Sequence, residues 1–78
     1  MELDKKMLLK KLGNHLKTIR TKKQLTQREL ALEIGKDTQA IERLERGGTN
    51  PTFYFLYQVS LGLDIPLKEL MDITEEEV

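Results

Sequence analysis

The chain has 78 residues, 38% of them hydrophobic, enough for one core but with little room for a buried catalytic cleft beside it. It has no cysteine, which excludes a disulfide framework and a cysteine-based metal site and suits a reducing cytoplasm; no run reaches the ~18 apolar residues of a membrane span, and no signal peptide is visible. The net charge of zero hides an uneven distribution: residues 1–50 carry 12 Lys and Arg against 7 Asp and Glu, residues 51–78 carry 1 against 6, and such a split suits one face to an anionic partner or leaves a solvated surface with an acidic tail.

The elements follow from periodicity and caps. Leu9, Leu12, Leu16 and Ile19 recur at helical spacing and predict a first helix over Leu3 to Lys22, with most of its lysines off that stripe. Gly13 inside it costs about 1 kcal/mol against alanine. Thr26-Gln27-Arg28-Glu29 has the form of a capping box, opening a short second helix with Leu30, Ala31 and Ile34 inward. Gly35 ends it, since glycine takes the left-handed conformation without a Cβ clash. Asp37 is the next N-cap candidate, and Ile41 and Leu44 point a third helix inward until Gly47-Gly48. Thr52 caps a fourth helix whose buried side is Phe53, Leu56, Val59, Ser60 and Leu63. Pro66 marks the start of a fifth, packed by Leu67, Leu70 and Met71. The chain divides into a domain over residues 1–73 and a short acidic tail, 74–78, which either frays or extends the fifth helix.

Two short helices joined by a tight turn at Gly35 make a helix-turn-helix arrangement. Ala31 is small where the two helices cross, Gly35 allows the bend, and Ile41 plugs the crossing from the second helix. That angle lifts the second helix out toward a DNA major groove.

The same residues resemble a known family. Leu25-Thr26-Gln27-Arg28-Glu29-Leu30-Ala31 looks like the opening "LSQEELA" of the Cro/CI-type (Xre) transcriptional regulators. Ile41-Glu42-Arg43-Leu44-Glu45-Arg46-Gly47 resembles their "IsriErG", and Asn50-Pro51-Thr52 through Leu70-Met71 is similar, without a gap, to "NPSLETLLKLAKALGVSLDELL". The resemblance spans residues 12–71 in one register. It implies an all-α, compact five-helix, lambda-repressor-like DNA-binding domain with the helix-turn-helix formed by helices two and three. It places Thr38, Gln39 and Arg43 where family members read base edges, and the chemistry fits: Gln pairs with adenine N6/N7 and Arg with guanine O6/N7. Glu42 either accepts from a cytosine amino group or pairs with Arg46 at i+4. Gln27 falls where the family places a glutamine on a phosphate, beside the free amides of a helix N-terminus. Lys36, Arg46 and the amides around Gly47–Asn50 are the remaining phosphate candidates. Arg20 and Glu45 match a structural pair that ties helix one to the end of helix three.

Helix four departs from the family pattern. Tyr54, Tyr57 or Gln58, and Leu61 form a second stripe beside the buried one, and Phe55 adds another aromatic. Both stripes cannot be buried in 78 residues, which predicts a two-fold homodimer through helix four and helix five, with Tyr54, Tyr57 and Leu61 at the interface. The alternative is that the N-terminal extension of helix one (Leu3, Met7, Leu8) folds back over these residues.

The combined expectation is a cytoplasmic, sequence-specific double-stranded-DNA-binding regulator that represses as a homodimer on an inverted repeat. It needs no cofactor, metal or membrane, and an additional protein partner stays open. With His15 as its one histidine and no catalytic or metal-ligand cluster, an enzyme is the weakest class. The nearer rival is a protein-interaction module on the same fold that has lost DNA binding. Salt separates the two, because only phosphate contacts release counterions.

Overall fold

The computed structural model describes residues 4–73, in which five helices follow one another: α1 (Lys5–Lys22), α2 (Gln27–Glu33), α3 (Thr38–Glu45), α4 (Phe53–Leu63) and α5 (Leu67–Leu70). Leu3 and the acidic tail at residues 74–78 lie outside the described residues.

Four of the five helices start on a side-chain cap. The Asp4 carboxylate accepts from the Met7 amide (2.8 Å), Thr26 Oγ1 from Glu29 (3.0 Å), Asp37 from Ala40 (2.8 Å) and Thr52 Oγ1 from Phe55 (3.0 Å). Each satisfies an amide that the helix leaves unpaired and contributes about 1 kcal/mol. At Thr26 the box is complete, since the Glu29 carboxylate accepts from the Thr26 amide at 2.8 Å. Pro66 stands at the cap position of α5, one residue before the first helical one, and gives no side-chain hydrogen bond. Asp64 closes α4 in the left-handed region, φ 57°.

The core collects Leu12, Leu16 and Ile19 of α1, Leu30 and Ala31 of α2, Ile41 and Leu44 of α3, Leu56, Val59 and Leu63 of α4, and Leu70 of α5. α3 packs against both α2 and α1, while α4 packs against α2 and α5. His15 Nε2 donates to the Glu69 carbonyl at 2.8 Å and ties α5 back to α1.

Two glycines set how closely the helices approach. A methyl group at Gly13 would lie 2.6 Å from the Leu44 carbonyl oxygen and closer still to that of Glu45, so α1 crosses the end of α3 with backbone against backbone. A methyl group at Gly62 would lie 2.6 Å from Ile34 Cγ2 and 2.8 Å from Leu30 Cδ1, the matching contact between α4 and α2.

Two expectations from the sequence, and one alternative, need correction. Phe53 is not on the buried side of α4: it is 68% exposed, and the partly buried aromatic is Phe55. The reason is α2. Phe55 and Gly62 are seven residues apart on the flank of α4 that α2 and its turn cover, whereas Phe53 is the first residue of the helix and stays mostly open to solvent. Met71 is 41% exposed, because it follows the last residue of α5 and Leu70 takes the buried position. The described part of the N-terminal extension does not cover the second stripe of α4. α1 runs straight on from Lys5, Met7 and Leu8 are themselves exposed, and so are Tyr54, Tyr57 and Leu61.

Gly13→Ala separates local propensity from packing. Propensity alone would raise stability by about 1 kcal/mol. The clash with two backbone carbonyls forces α1 and α3 apart, and overpacking of this kind costs about 1–3 kcal/mol. Urea unfolding of Gly13→Ala is expected to show a net loss of stability; a gain would mean that the crossing gives way freely.

Candidate nucleic-acid interface

The position of α3 is fixed from both ends. At its start, Gly35 takes φ +70°, Lys36 donates its amide to the Ala31 carbonyl (2.9 Å), and Asp37 caps the helix. No atom lies within 4 Å of where a Gly35 Cβ would be, so glycine is required here by backbone conformation rather than by space. Ala31 and Ile41 are fully buried where the two helices meet.

At its end, the Glu45 carboxylate anchors α3. Arg20 donates from Nε to Glu45 Oε2 and from Nη2 to Oε1 (3.0 Å), a two-pronged ion pair with both side chains more than nine-tenths buried. Arg20 Nη1 donates to the Leu25 carbonyl (2.6 Å), and Gln27 Nε2 donates to Glu45 Oε1 (2.9 Å). One carboxylate thus joins α1, the α1–α2 loop and the first turn of α2 to α3. No buried side-chain nitrogen or oxygen among the described residues lacks a partner.

With Ile41, Leu44 and Glu45 turned inward, the outer face of α3 is Thr38, Gln39, Glu42 and Arg43, all exposed. The side chains of Thr38, Gln39 and Arg43 make no hydrogen bond to other described residues, so their donors and acceptors are available to a ligand. Glu42 forms no ion pair with Arg46, which removes the surface pairing considered for it. The phosphate candidates differ among themselves. Arg46 is exposed, with its guanidinium against the Gly48 backbone. Lys36 is exposed, with its ammonium 5.6 Å over the Phe55 ring. Gln27 is half-buried, and one N–H of its amide is taken by Glu45, leaving the other N–H and the carbonyl for any outside contact. That link was not read from the sequence. The available signal was Gln27 lying 18 residues before a buried carboxylate that already had one partner in Arg20.

Away from α3 in sequence, α4 shows Phe53 (68% exposed), Tyr54, Tyr57 and Leu61, with the two tyrosine rings 6.4 Å apart. Among the described residues no cluster of His, Asp and Glu is arranged to hold a metal ion, and no helix is long and apolar enough to cross a membrane.

Residues 16–70 match the helix-turn-helix family model HTH_3, which is most of the chain and all of the α2–α3 unit. The chain belongs to this family. Its members are DNA-binding transcriptional regulators of the Xre type, not enzymes. A helix-turn-helix-type transcriptional regulator of Sinorhizobium fredii, y4dJ, is 36% identical over 67 residues, covering 86% of this chain and 87% of that protein. Among solved structures, the restriction-modification controller protein C.AhdI of Aeromonas hydrophila superposes with a TM-score of 0.80 at 34% identity, covering 82% of this chain and 97% of that one. A second controller, C.Esp1396I, solved as a tetramer in complex with its natural 35-base-pair operator, superposes with a TM-score of 0.72 at 30% identity, covering 83% of this chain and 96% of that one. The fold is that of these HTH_3 regulators, lambda-repressor-like and all-helical.

The Glu45 hub makes a distinct prediction. Glu45→Ala leaves the Arg20 guanidinium buried without its counter-ion, and breaking a buried pair from one side costs about 3–5 kcal/mol. The double variant Arg20→Met with Glu45→Leu removes both charges, and urea unfolding is expected to show it more stable than Glu45→Ala. Equal stability for Glu45→Ala and wild type would mean that the pair contributes nothing to the fold.

Proposed function

We propose that this chain binds specific sites in double-stranded DNA as a homodimer and represses transcription by occupying a promoter. The carrying observation is the outer face of α3. Thr38, Gln39 and Arg43 stand exposed and unpartnered on a helix that is capped at one end and ion-paired to its neighbours at the other. A side chain that reads a base edge needs this combination, a free polar end on a rigid base. α3 enters the major groove and α2 lies across the backbone. Gln27, Lys36 and Arg46 contact phosphates, Gln27 through the part of its amide that Glu45 leaves free.

The dimer reading rests on α4. Tyr54, Tyr57 and Leu61 form a solvent-facing apolar stripe opposite the core, and Phe53 extends it. α4 has no charged residue to keep that face solvated. Contiguous exposed aromatics of this kind mark protein contacts. Two copies related by a two-fold axis would read an inverted repeat with half-sites about one helical turn apart. The operator-bound state of C.Esp1396I supports self-association on DNA for this fold. Membership of a family of DNA-binding regulators supports a cytoplasmic location.

Selection of bound sequences from random duplex DNA tests the reading directly and is expected to return a two-fold-symmetric site. On that site, Arg43→Ala should relax base choice at one position of each half and cost about 1–3 kcal/mol per half-site. A uniform loss on specific and random DNA would instead make Arg43 a phosphate contact. Tyr57→Glu places a carboxylate in the proposed interface, and light scattering should then give the mass of one chain. An unchanged mass would remove Tyr57 from the contact.

A further inference from the structure

α1 carries lysines and an arginine along its length but no carboxylate. Helix stability does not account for this. Lys5 and Lys6 stand at the positive end of the helix dipole, where cations are unfavourable, and α1 contains no acidic residue to form i,i+4 pairs with its lysines. The reason lies outside the helix, and the period sorts the lysines. Lys6, Lys10, Gly13, Lys17 and Arg20 follow at spacings of 4, 3, 4 and 3, which puts them on one flank.

The structure shows what that flank faces. Gly13 lies against the Leu44 and Glu45 carbonyls, and Arg20 is paired with Glu45, so the flank runs along the end of the reading helix. Lys10 continues the contact into the next loop. A methyl group at Gly47 would lie 2.9 Å from Lys10 Cγ and 3.0 Å from its Cα. On the next residue, a methyl group at Gly48 would lie 3.3 Å from Arg46 Nε. Lys10 and Arg46 therefore border the same two-glycine loop, and Lys6, Lys10 and Lys17 are all exposed.

We propose that Lys6, Lys10 and Lys17 form a second line of contact to the DNA phosphate backbone, continuing from Arg46 across Gly47–Gly48. The proposal rests on the reading of α3 as the base-reading helix. The loop after α3 carries no cation of its own between Gly47 and Thr52; α1 supplies the charge from the side. At 1.5 Å per residue the strip from Lys6 to Lys17 is about 16 Å long. One DNA strand advances about 3.4 Å of helix axis per phosphate and winds around the axis as it does, so a straight strip of that length follows about three phosphates, one for each lysine.

The test compares two charge-matched variants, Lys6→Gln/Lys10→Gln/Lys17→Gln and Lys22→Gln/Lys23→Gln/Lys68→Gln. All six residues are exposed, and circular dichroism checks that both variants remain folded. Binding to the selected duplex and to a scrambled duplex is followed by fluorescence anisotropy over a salt series. Each lost phosphate contact lowers the slope of log K against log salt by about 0.9. The strip variant is expected to lose about 2–3 from the slope per protomer, with its preference for the selected over the scrambled duplex unchanged, and the control less than 1. An unchanged slope, or an equal loss in the control, overturns the proposal. So does loss of binding to phosphatidylserine vesicles with the DNA slope intact, which would assign the lysines to a membrane surface. If wild type does not distinguish the selected from the scrambled duplex, the base-reading assignment of α3 fails, whatever the slope of the strip variant.

Discussion

The placement of α3, the proposed reading helix, depends on one buried carboxylate. Glu45 ends α3 and binds Arg20 and Gln27 at once, while Gly13 lets α1 close to backbone contact over the same turn. Neither feature suffices alone. Without the close crossing, Arg20 would stand too far from Glu45 to pair at both nitrogens. Without the pair, the crossing would bury an uncompensated charge of either sign, which is far more costly than an exposed one. The hydrophobic core fixes which faces turn inward. The polar hub fixes where along its axis α3 sits against α1, which an apolar contact, being non-directional, does not specify.

The hub also bears on the phosphate contact proposed for Gln27. A glutamine at the first turn of α2 with both ends of its amide free would need to order itself on binding. Here one N–H is already held by Glu45, so the remaining N–H and carbonyl are pre-oriented. Lys36 is restrained in a looser way, by the face of the Phe55 ring. Both restraints trade some reach for a smaller entropic cost, which suits a reading set as short as the one proposed, Thr38, Gln39 and Arg43.

Much of this was legible in the sequence because it is local. The N-caps at Thr26, Asp37 and Thr52, the left-handed glycine at Gly35 and the inward stripes of α2 and α3 are consequences of a few neighbouring residues, and the structure has them where spacing put them; the cap at Asp4 and the exposure of Phe53 it did not give. What spacing could not show is which helix covers which flank. Gly13 reads locally as a weak point in α1, and only the presence of α3 turns it into a requirement. Phe53 and Phe55 both border the apolar stripe of α4, and their different fates depend on the path of α2. Met71 follows the helical pattern, yet α5 ends before it. Arg20 and Glu45 could be paired only through resemblance, since 25 residues separate them and no periodicity links them.

Neutral net charge is no obstacle to DNA binding once the charges are placed. Of the five carboxylates in the helix-turn-helix, Glu29 and Asp37 are spent on helix caps and Glu45 on its buried pair, which leaves Glu33 and Glu42 exposed. A carboxylate that accepts backbone amides is partly neutralised by the dipole it caps and projects less field than a free one. Lys10, Lys17, Lys36, Arg43 and Arg46 have no such carboxylate partner, so the acidic total of the chain does not cancel them locally. The field that a phosphate meets is set by these placements within a Debye length of about 8–10 Å, not by the sum over 78 residues.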